Sequence, residues 1–339
     1  MDSLYPTPMN RQLSFASYER SQHTRPTRRE TFLAEMDRII PWAQFISVIE
    51  PHYFAGGRGR PPVGIEPMLR MYFVQCWFNL SDESTEEAIY DSLAVRDFVG
   101  IDLGRRNAPD ATTLLQFRHL LEAHQLTERL MAELNALLST RGLLMRAGTI
   151  ADATLIAAPP STKNQARARD PEMHQTQKGN QWYFGAKAHI GVDIESGLVH
   201  SHITTAANAA DVTHLEDVLH GQESVLSADA GYTLGAERQA RLQAKGIQTV
   251  YIAKRRSAKK GWPPSEELRT LLANIEHLKA RMRARVEHVF GIVKNRFGFR
   301  KTRYRGIAKT HARLTTMFLL ANLVIAKKAL LQFDTRTPS

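Results

Sequence analysis

Apolar residues recur at helical spacing through roughly the first 140 positions and give way, after Gly148, to short unbroken apolar runs. Phe32, Leu33, Met36, Ile39 and Ile40 predict a helix from Glu30 to Val48. A Gly-Arg-Pro loop, Gly56 to Pro62, breaks that pattern before a helix from Glu66 to Leu80. Ser84 or Thr85 caps a third helix running to Phe98, with Glu86 and Glu87 placed favourably in its first turn. Asp110 caps Ala111 to His124, and Thr127 opens a helix to Thr140. Residues 1–29 are polar, rich in arginine and aperiodic, and read as a flexible basic arm. The pattern therefore predicts an all-helical domain over 30–145 and an α/β domain over 146–332.

The second half opens with Gly148 to Ala157, apolar at both parities as in a central strand covered on both faces, yet carrying one carboxylate, Asp152. An isolated charge there is costly to bury, so Asp152 has to reach the strand's edge or meet a cation. After a long polar segment, Ser161 to Gln181, the runs Tyr183 to Asp193 and Leu198 to Thr205 predict a hairpin turning at Glu195-Ser196-Gly197. A short helix capped by Asp211 precedes Val225 to Ala228, which delivers a second carboxylate, Asp229, just before the Gly231 turn. Leu234 to Lys245 reads as helix and Gln248 to Ile252 as strand. The last element is a long helix from Ser265 to Arg296, with Met282, Val286, Val289, Phe290, Val293 and Phe297 as its docking stripe. Arg283, Glu287 and Lys294 follow one another at steps of 4 and 7 on the other face. Gly291, one turn beyond Glu287, lowers helix propensity by about 1 kcal/mol, and clearance for a bulky partner explains it.

Charge sharpens this picture. The chain carries +11, and residues 241–310 alone hold 19 Lys and Arg against 4 Asp and Glu. A basic region in which Lys254 and Arg255, then Arg300 and Arg303, are interleaved with glycine and aromatics suits a phosphate backbone as partner. The single cysteine, Cys76, allows no intrachain disulfide, and the 13 histidines offer no zinc-ligand spacing. Met317 to Ala326, the longest apolar stretch, is too short to span a bilayer, which places the protein in the cytoplasm. Two aspartates beside small residues at strand ends, joined by a helical glutamate, are hard oxygen ligands suited to a divalent cation. A pair over residues 84–98 and 110–124 is either a DNA-reading helix-turn-helix or a packing module, and spacing alone does not choose.

Asp152, Asp229 and Glu287, separated by 77 and 58 residues, together with Arg283-x-x-x-Glu287 and Lys294, resemble the DDE transposases of bacterial insertion sequences. The stretches Ser161-Thr162-Lys163-Asn164, Asp170-Pro171-Glu172-Met173-His174-Gln175-Thr176, Lys187-Ala188-His189-Ile190-Gly191-Val192-Asp193 and Ser227-Ala228-Asp229-Ala230-Gly231-Tyr232 are similar to the insertion-sequence-five family in particular. The likeness runs from about Arg11 to Ala326. One departure is Ala280, where the related insertion-sequence-four signature has tyrosine.

The resemblance implies a ribonuclease-H-like catalytic domain whose catalytic residues Asp152, Asp229 and Glu287 hold two Mg²⁺ or Mn²⁺ ions. It implies end cleavage followed by transfer of the freed 3′ ends into target DNA, with Arg283 and Lys294 gripping the DNA backbone. The partners it implies are the double-stranded terminal inverted repeats and target DNA, bound by a homodimer or higher oligomer associated with the nucleoid. Arg58 and Arg60, in Arg58-Gly59-Arg60-Pro61, carry two cations suited to a narrow A·T minor groove, or are simply solvated. A nuclease of the same fold without strand transfer, and a non-catalytic DNA-binding regulator, are the competing readings.

Overall fold

A computed structural model of the chain describes residues 25–53, 62–163, 165, 167–253 and 265–334. Among the described residues seven α-helices come first: α1 (Arg28–Ile39), α2 (Trp42–Ile49), α3 (Ile65–Phe78), α4 (Asp82–Asp91), α5 (Leu93–Val99), α6 (Ala111–Ala123) and α7 (Leu126–Thr140). Thr27 and Glu30 start α1 with a reciprocal capping box. The single helix expected over 30–48 is two, because Pro41 cannot supply an amide hydrogen to continue α1 and biases Ile40 out of the helical region. The cap expected at Ser84 or Thr85 is Ser81, whose hydroxyl accepts the Ser84 amide at 3.0 Å, leaving Asp82 and Glu83 in the first turn. Ser92 ends that helix early, and α5 follows as a separate segment. Residues 100–110 then separate α5 from α6, too long a connection for the tight turn of a helix-turn-helix.

The sheet consists of β1 (Gly148–Ala157), β2 (His174–Lys178), β3 (Gln181–Asp193), β4 (Val199–Ala206), β5 (Val225–Ala228) and β6 (Thr249–Ile252). Its order is β2-β3-β1-β5-β6, with β4 also paired to β3. β1 lies antiparallel to β3 and parallel to β5, and β6 extends the parallel side. β2 occupies part of the segment Ser161 to Gln181 that shows no core-forming period, because its residues are almost all exposed and pair only through their backbone with β3. The segment from Asp211 holds two 3₁₀ turns, Asp211–His214 and Glu216–Val218, in place of a capped helix.

After α8 (Ala236–Ala244), α9 (Glu266–Gly291) crosses the sheet and passes into a π turn, Ile292–Arg296. The last element is α10 (Ile307–Asp334), a helix that the sequence pattern leaves out. It is long and apolar enough to cross a membrane, yet 67% of its most apolar window is buried against the rest of the chain. It packs on α1, α7 and β4. A fully buried residue of α10, Asn322, accepts the Val199 amide at 2.8 Å and donates to the Val199 carbonyl at 2.7 Å, closing the edge of β4. Its amide also reaches Asn135 on α7 at 3.3 Å. One apolar cluster runs from Leu33 and Phe73 through Leu134 and Leu320 to Ile190 and Val286, so helices and sheet share a core. Leu320, fully buried within that cluster, should destabilise the protein by about 2–5 kcal/mol when changed to alanine. Urea unfolding followed by circular dichroism and tryptophan fluorescence should show one transition at a lower midpoint. Two separated transitions would count against the shared core.

Candidate catalytic carboxylate site

β1 and β5 pair in parallel register, Ile150 opposite Ser227 and Ala151 opposite Ala228, so the next residues on the two strands are Asp152 and Asp229. Side chains alternate faces along a strand. Ala151, Leu226 and Ala228 enter a small core on one face, with Leu215, Tyr232 and Leu242. Ile150 and Ile156 enter the large core with Val286 and Phe290 of α9. By the same alternation Asp152 and Asp229 share the α9 face. Asp152 is not at a strand end as expected: β1 continues to Ala157 against β3, while β5 stops at Ala228. Losing that neighbour opens β1 on one side, and its residues turn from buried to half-buried at Asp152.

The Ala153 amide donates to Asp152 Oδ1 at 2.7 Å. Burial raises the Asp152 carboxyl to about 6; the Ala153 amide and Arg283 oppose the shift and the charge of Asp229 adds to it. Asp229 is held by the Gly231 amide at 2.7 Å, and a Cβ on Gly231 would stand 2.9 Å from the same oxygen, so a larger residue there would push the carboxylate out of this position. α9 brings the third carboxylate. Arg283 Nη2 lies 3.3 Å from Asp152 Oδ2 and 3.8 Å from Glu287 Oε1, and so places positive charge between them. Arg283 Nε is buried without a hydrogen-bond partner. Glu287 is 65% exposed and stands out from the aspartates.

Lys294 follows in the π turn, so its step of 7 from Glu287 is no longer two α-helical turns. Burial lowers its ammonium pKa, the cations Lys178 and Arg300 lower it further, and Glu287 opposes them. Arg300 is tied back by donating to the Lys294 carbonyl at 3.1 Å and to Asn295 at 2.6 Å. Arg303 donates to the Asn79 carbonyl at 3.0 Å, away from the carboxylates. Arg58, Arg60, Lys254 and Arg255 lie outside the described residues. Gly291 fills no tight space, since a Cβ there would meet no protein atom within 4 Å. Two neighbours, although they lie in motif stretches, carry no site role in the sequence reading. Lys178 sits at the β2–β3 turn, a strand too polar to be recognised as one. Tyr232 is buried, and its phenol pKa is raised by burial and by Asp152, Asp211 and Asp229.

The donor set fits a hard divalent cation: carboxylate oxygens from two adjacent strands and a helix, with a cationic group already drawn between two of them. Among the described residues the acidic or histidine group whose ligand atoms converge within 4.8 Å is His200, His220 and Glu223, whereas Asp152, Asp229 and Glu287 stand farther apart than that. The histidine group lies toward the opposite end of β1, where Thr149 donates to Glu223 at 3.0 Å. Glu223 also accepts the His220 and Gly221 amides, at 2.6 and 2.8 Å, so its oxygens are already engaged.

The fold and site together define a helical region followed by a mixed α/β domain whose central strands carry neighbouring carboxylates. Residues 144–323 match the family model described as Transposase DDE domain, and residues 20–120 match Transposase domain (DUF772). The chain belongs to the DDE transposases, enzymes that cleave DNA and for which a divalent metal is usual. No solved structure matches it.

The raised pKa has a stability consequence with a definite sign. Folded Asp152 binds its proton up to about pH 6, whereas an unfolded aspartate releases it near 3.9. The native state therefore loses stability as pH rises from about 4 to 6, on the order of 2–3 kcal/mol from this group. Without divalent ions, Asp152→Asn should melt higher than the parent at pH 7.5, and the gap should close toward pH 4. An equal gap at both pH values would show that the effect does not come from this titration.

Proposed function

We propose that this protein binds the terminal inverted repeats of its own insertion sequence, cleaves the DNA at the element's ends and transfers the 3′ ends into target DNA. The observation that carries the reading is the register that makes Asp152 and Asp229 the next residues after the paired Ala151 and Ala228, with Arg283 reaching from Asp152 toward the exposed Glu287. The sheet order, an antiparallel β3-β1 pair joined to parallel β1-β5-β6, supports a ribonuclease-H-like core. The sequence motifs favour the insertion-sequence-five branch. We assign residues 30–145 to binding DNA ends and 146–332 to catalysis, although the two share apolar packing.

Asp152, Asp229 and Glu287 would hold two divalent ions, Mg²⁺ or Mn²⁺. Bound there, such ions supply Lewis-acid activation of the attacking hydroxyl and stabilisation of the leaving 3′ oxygen. Arg283, whose guanidinium already bridges two of the carboxylates, sets their spacing and offers donors to the scissile phosphate. Lys294 is an ammonium relieved of water and crowded by Lys178 and Arg300. A DNA phosphate neutralises all three. Gly291 leaves open space beside Glu287 through which the strand reaches the carboxylates. Water as first nucleophile cuts the end, and the 3′-OH it frees attacks the target, so no covalent protein intermediate is required. Such an enzyme acts in the cytoplasm, at the nucleoid.

Asp152→Asn, Asp229→Asn and Glu287→Gln should each abolish Mg²⁺-dependent cleavage of end-containing DNA, with end binding kept within a few-fold in gel-shift titrations. Retained cutting by any one of them would sink the site. End cleavage without a joined product would reduce the enzyme to a nuclease. Lys294→Ala and Arg283→Ala should weaken binding to all sequences and lower the salt slope by about one unit each. Altered sequence preference at an unchanged slope would contradict the phosphate contacts. Changing Arg58 and Arg60 to alanine should weaken A·T-rich ends more than G·C-rich ones at fixed salt, and an equal loss on both would leave these arginines as general phosphate contacts.

A further inference from the structure

The outer part of α9, residues 266–282, has no role in the site. None of these residues is buried, although the helix runs unbroken into the packed residues Val286, Val289 and Phe290. Along this stretch Leu268, Leu271, Ile275 and Leu278 are 48%, 56%, 38% and 55% exposed. They step by 3, 4 and 3 residues, the a and d positions of a heptad. Single exposed leucines are ordinary, but a continuous stripe of four on one helix marks a contact surface. The neighbouring edge is the one that leans on the chain itself, where Lys279 donates to the Ile252 carbonyl at 3.1 Å and to Glu276 at 2.9 Å.

We propose that this stripe pairs with the same stripe of a second copy of the chain, antiparallel, about a two-fold axis near Ala273. Charge selects both the partner and the direction. With Leu268 at a, the exposed residues Glu267 and Arg281 both fall at g, at opposite ends of the seam. In antiparallel register Leu268 faces Leu278 of the second copy, and Leu271 faces its Ile275. The same register sets g against g, so Glu267 of each copy meets Arg281 of the other, twice, and Asn274 meets Asn274 at the centre. A parallel pair would instead bring Arg281, Arg283 and Arg285 of both chains alongside one another. The helix is already folded and anchored through Val286 and Phe290, so pairing requires no new helix nucleation. One seam with four large side chains per copy is small for a protein interface, so the dimer should dissociate on dilution. Glu287 lies 14 residues from Ala273, about 21 Å along the helix, which sets the two carboxylate sites on the order of 40 Å apart along the paired helices.

Sedimentation velocity of the full-length protein without DNA tests this directly. A concentration-dependent monomer–dimer equilibrium is expected, and Leu271→Ser with Leu278→Ser should weaken it at least tenfold while far-UV circular dichroism stays unchanged. Glu267→Arg or Arg281→Glu alone should weaken the dimer several-fold, and the two together should restore it. Under mild oxidation Asn274→Cys should form a disulfide-linked dimer, whereas Leu268→Cys should link only to Leu278→Cys in a mixture; the native Cys76 is buried. A monomer at all concentrations, failure of the paired charge reversal, or self-linkage of Leu268→Cys would each overturn the proposal. A monomer in which positions 271 and 278 resist solvent labelling would give the stripe to the chain's own 254–264 segment and equally overturn it. Association is read without DNA or catalysis, so this test stands apart from that of the transposase reading.

Discussion

The parallel pairing of β1 with β5 is the constraint on which the site rests. Ala151 stands opposite Ala228, which makes Asp152 and Asp229 successors on one face. A slip of one residue would send one of the two carboxylates to the opposite face, among Leu215, Leu226 and Leu242. The small residues on either side follow from the same pairing, since bulk beside two carboxylates would close the space between them. β5 has to stop where it does, and the Gly231 turn stops it; β1 has to continue, and β3 gives it an edge to continue on. α9 then lies across this face and adds Glu287 and Arg283 from above.

This arrangement works against stability. One of the two carboxylates is largely buried beside the other, and the elevated pKa of Asp152 records the cost of that burial first and the charge of Asp229 second. Arg283 relieves only part of that cost. The rest is tolerated because it falls on a strand fixed elsewhere: β1 is buried from Gly148 to Ala151, and β3 pairs with it over nine positions from Thr149 to Ala157. The apolar core that holds this strand extends through α10 to the N-terminal helices. The site therefore depends on packing far from it.

Much of this was legible in the sequence, because local rules produce the features that matter. An aspartate inside an apolar run, a second before a glycine turn and an arginine four residues before a glutamate are each visible without any tertiary knowledge. The helix boundaries at Ile40 and Ser92 were less so, since periodicity carried across both, and Pro41 was the available signal at the first. β2 is nearly all exposed and gains its structure from backbone pairing alone, which leaves no hydrophobic period to read. α10 escaped because its apolar stretch was weighed only as a membrane span, when a helix covered on most faces inside a soluble fold has the same composition. The π turn at Ile292–Arg296 has no local signature beyond Gly291, and it alters where Lys294 stands.

α10 also governs when the molecule becomes whole. Of the elements described it is the last to be synthesised, yet it covers α1 and α7 from the first half of the chain, and Asn322 satisfies the backbone of β4. A nascent chain that has exposed every other element still presents those apolar surfaces uncovered, and one sheet edge unpaired. Domains that close on themselves can fold as they emerge. This chain postpones closure until the ribosome has delivered α10, so maturation of the enzyme waits on the synthesis of that one helix.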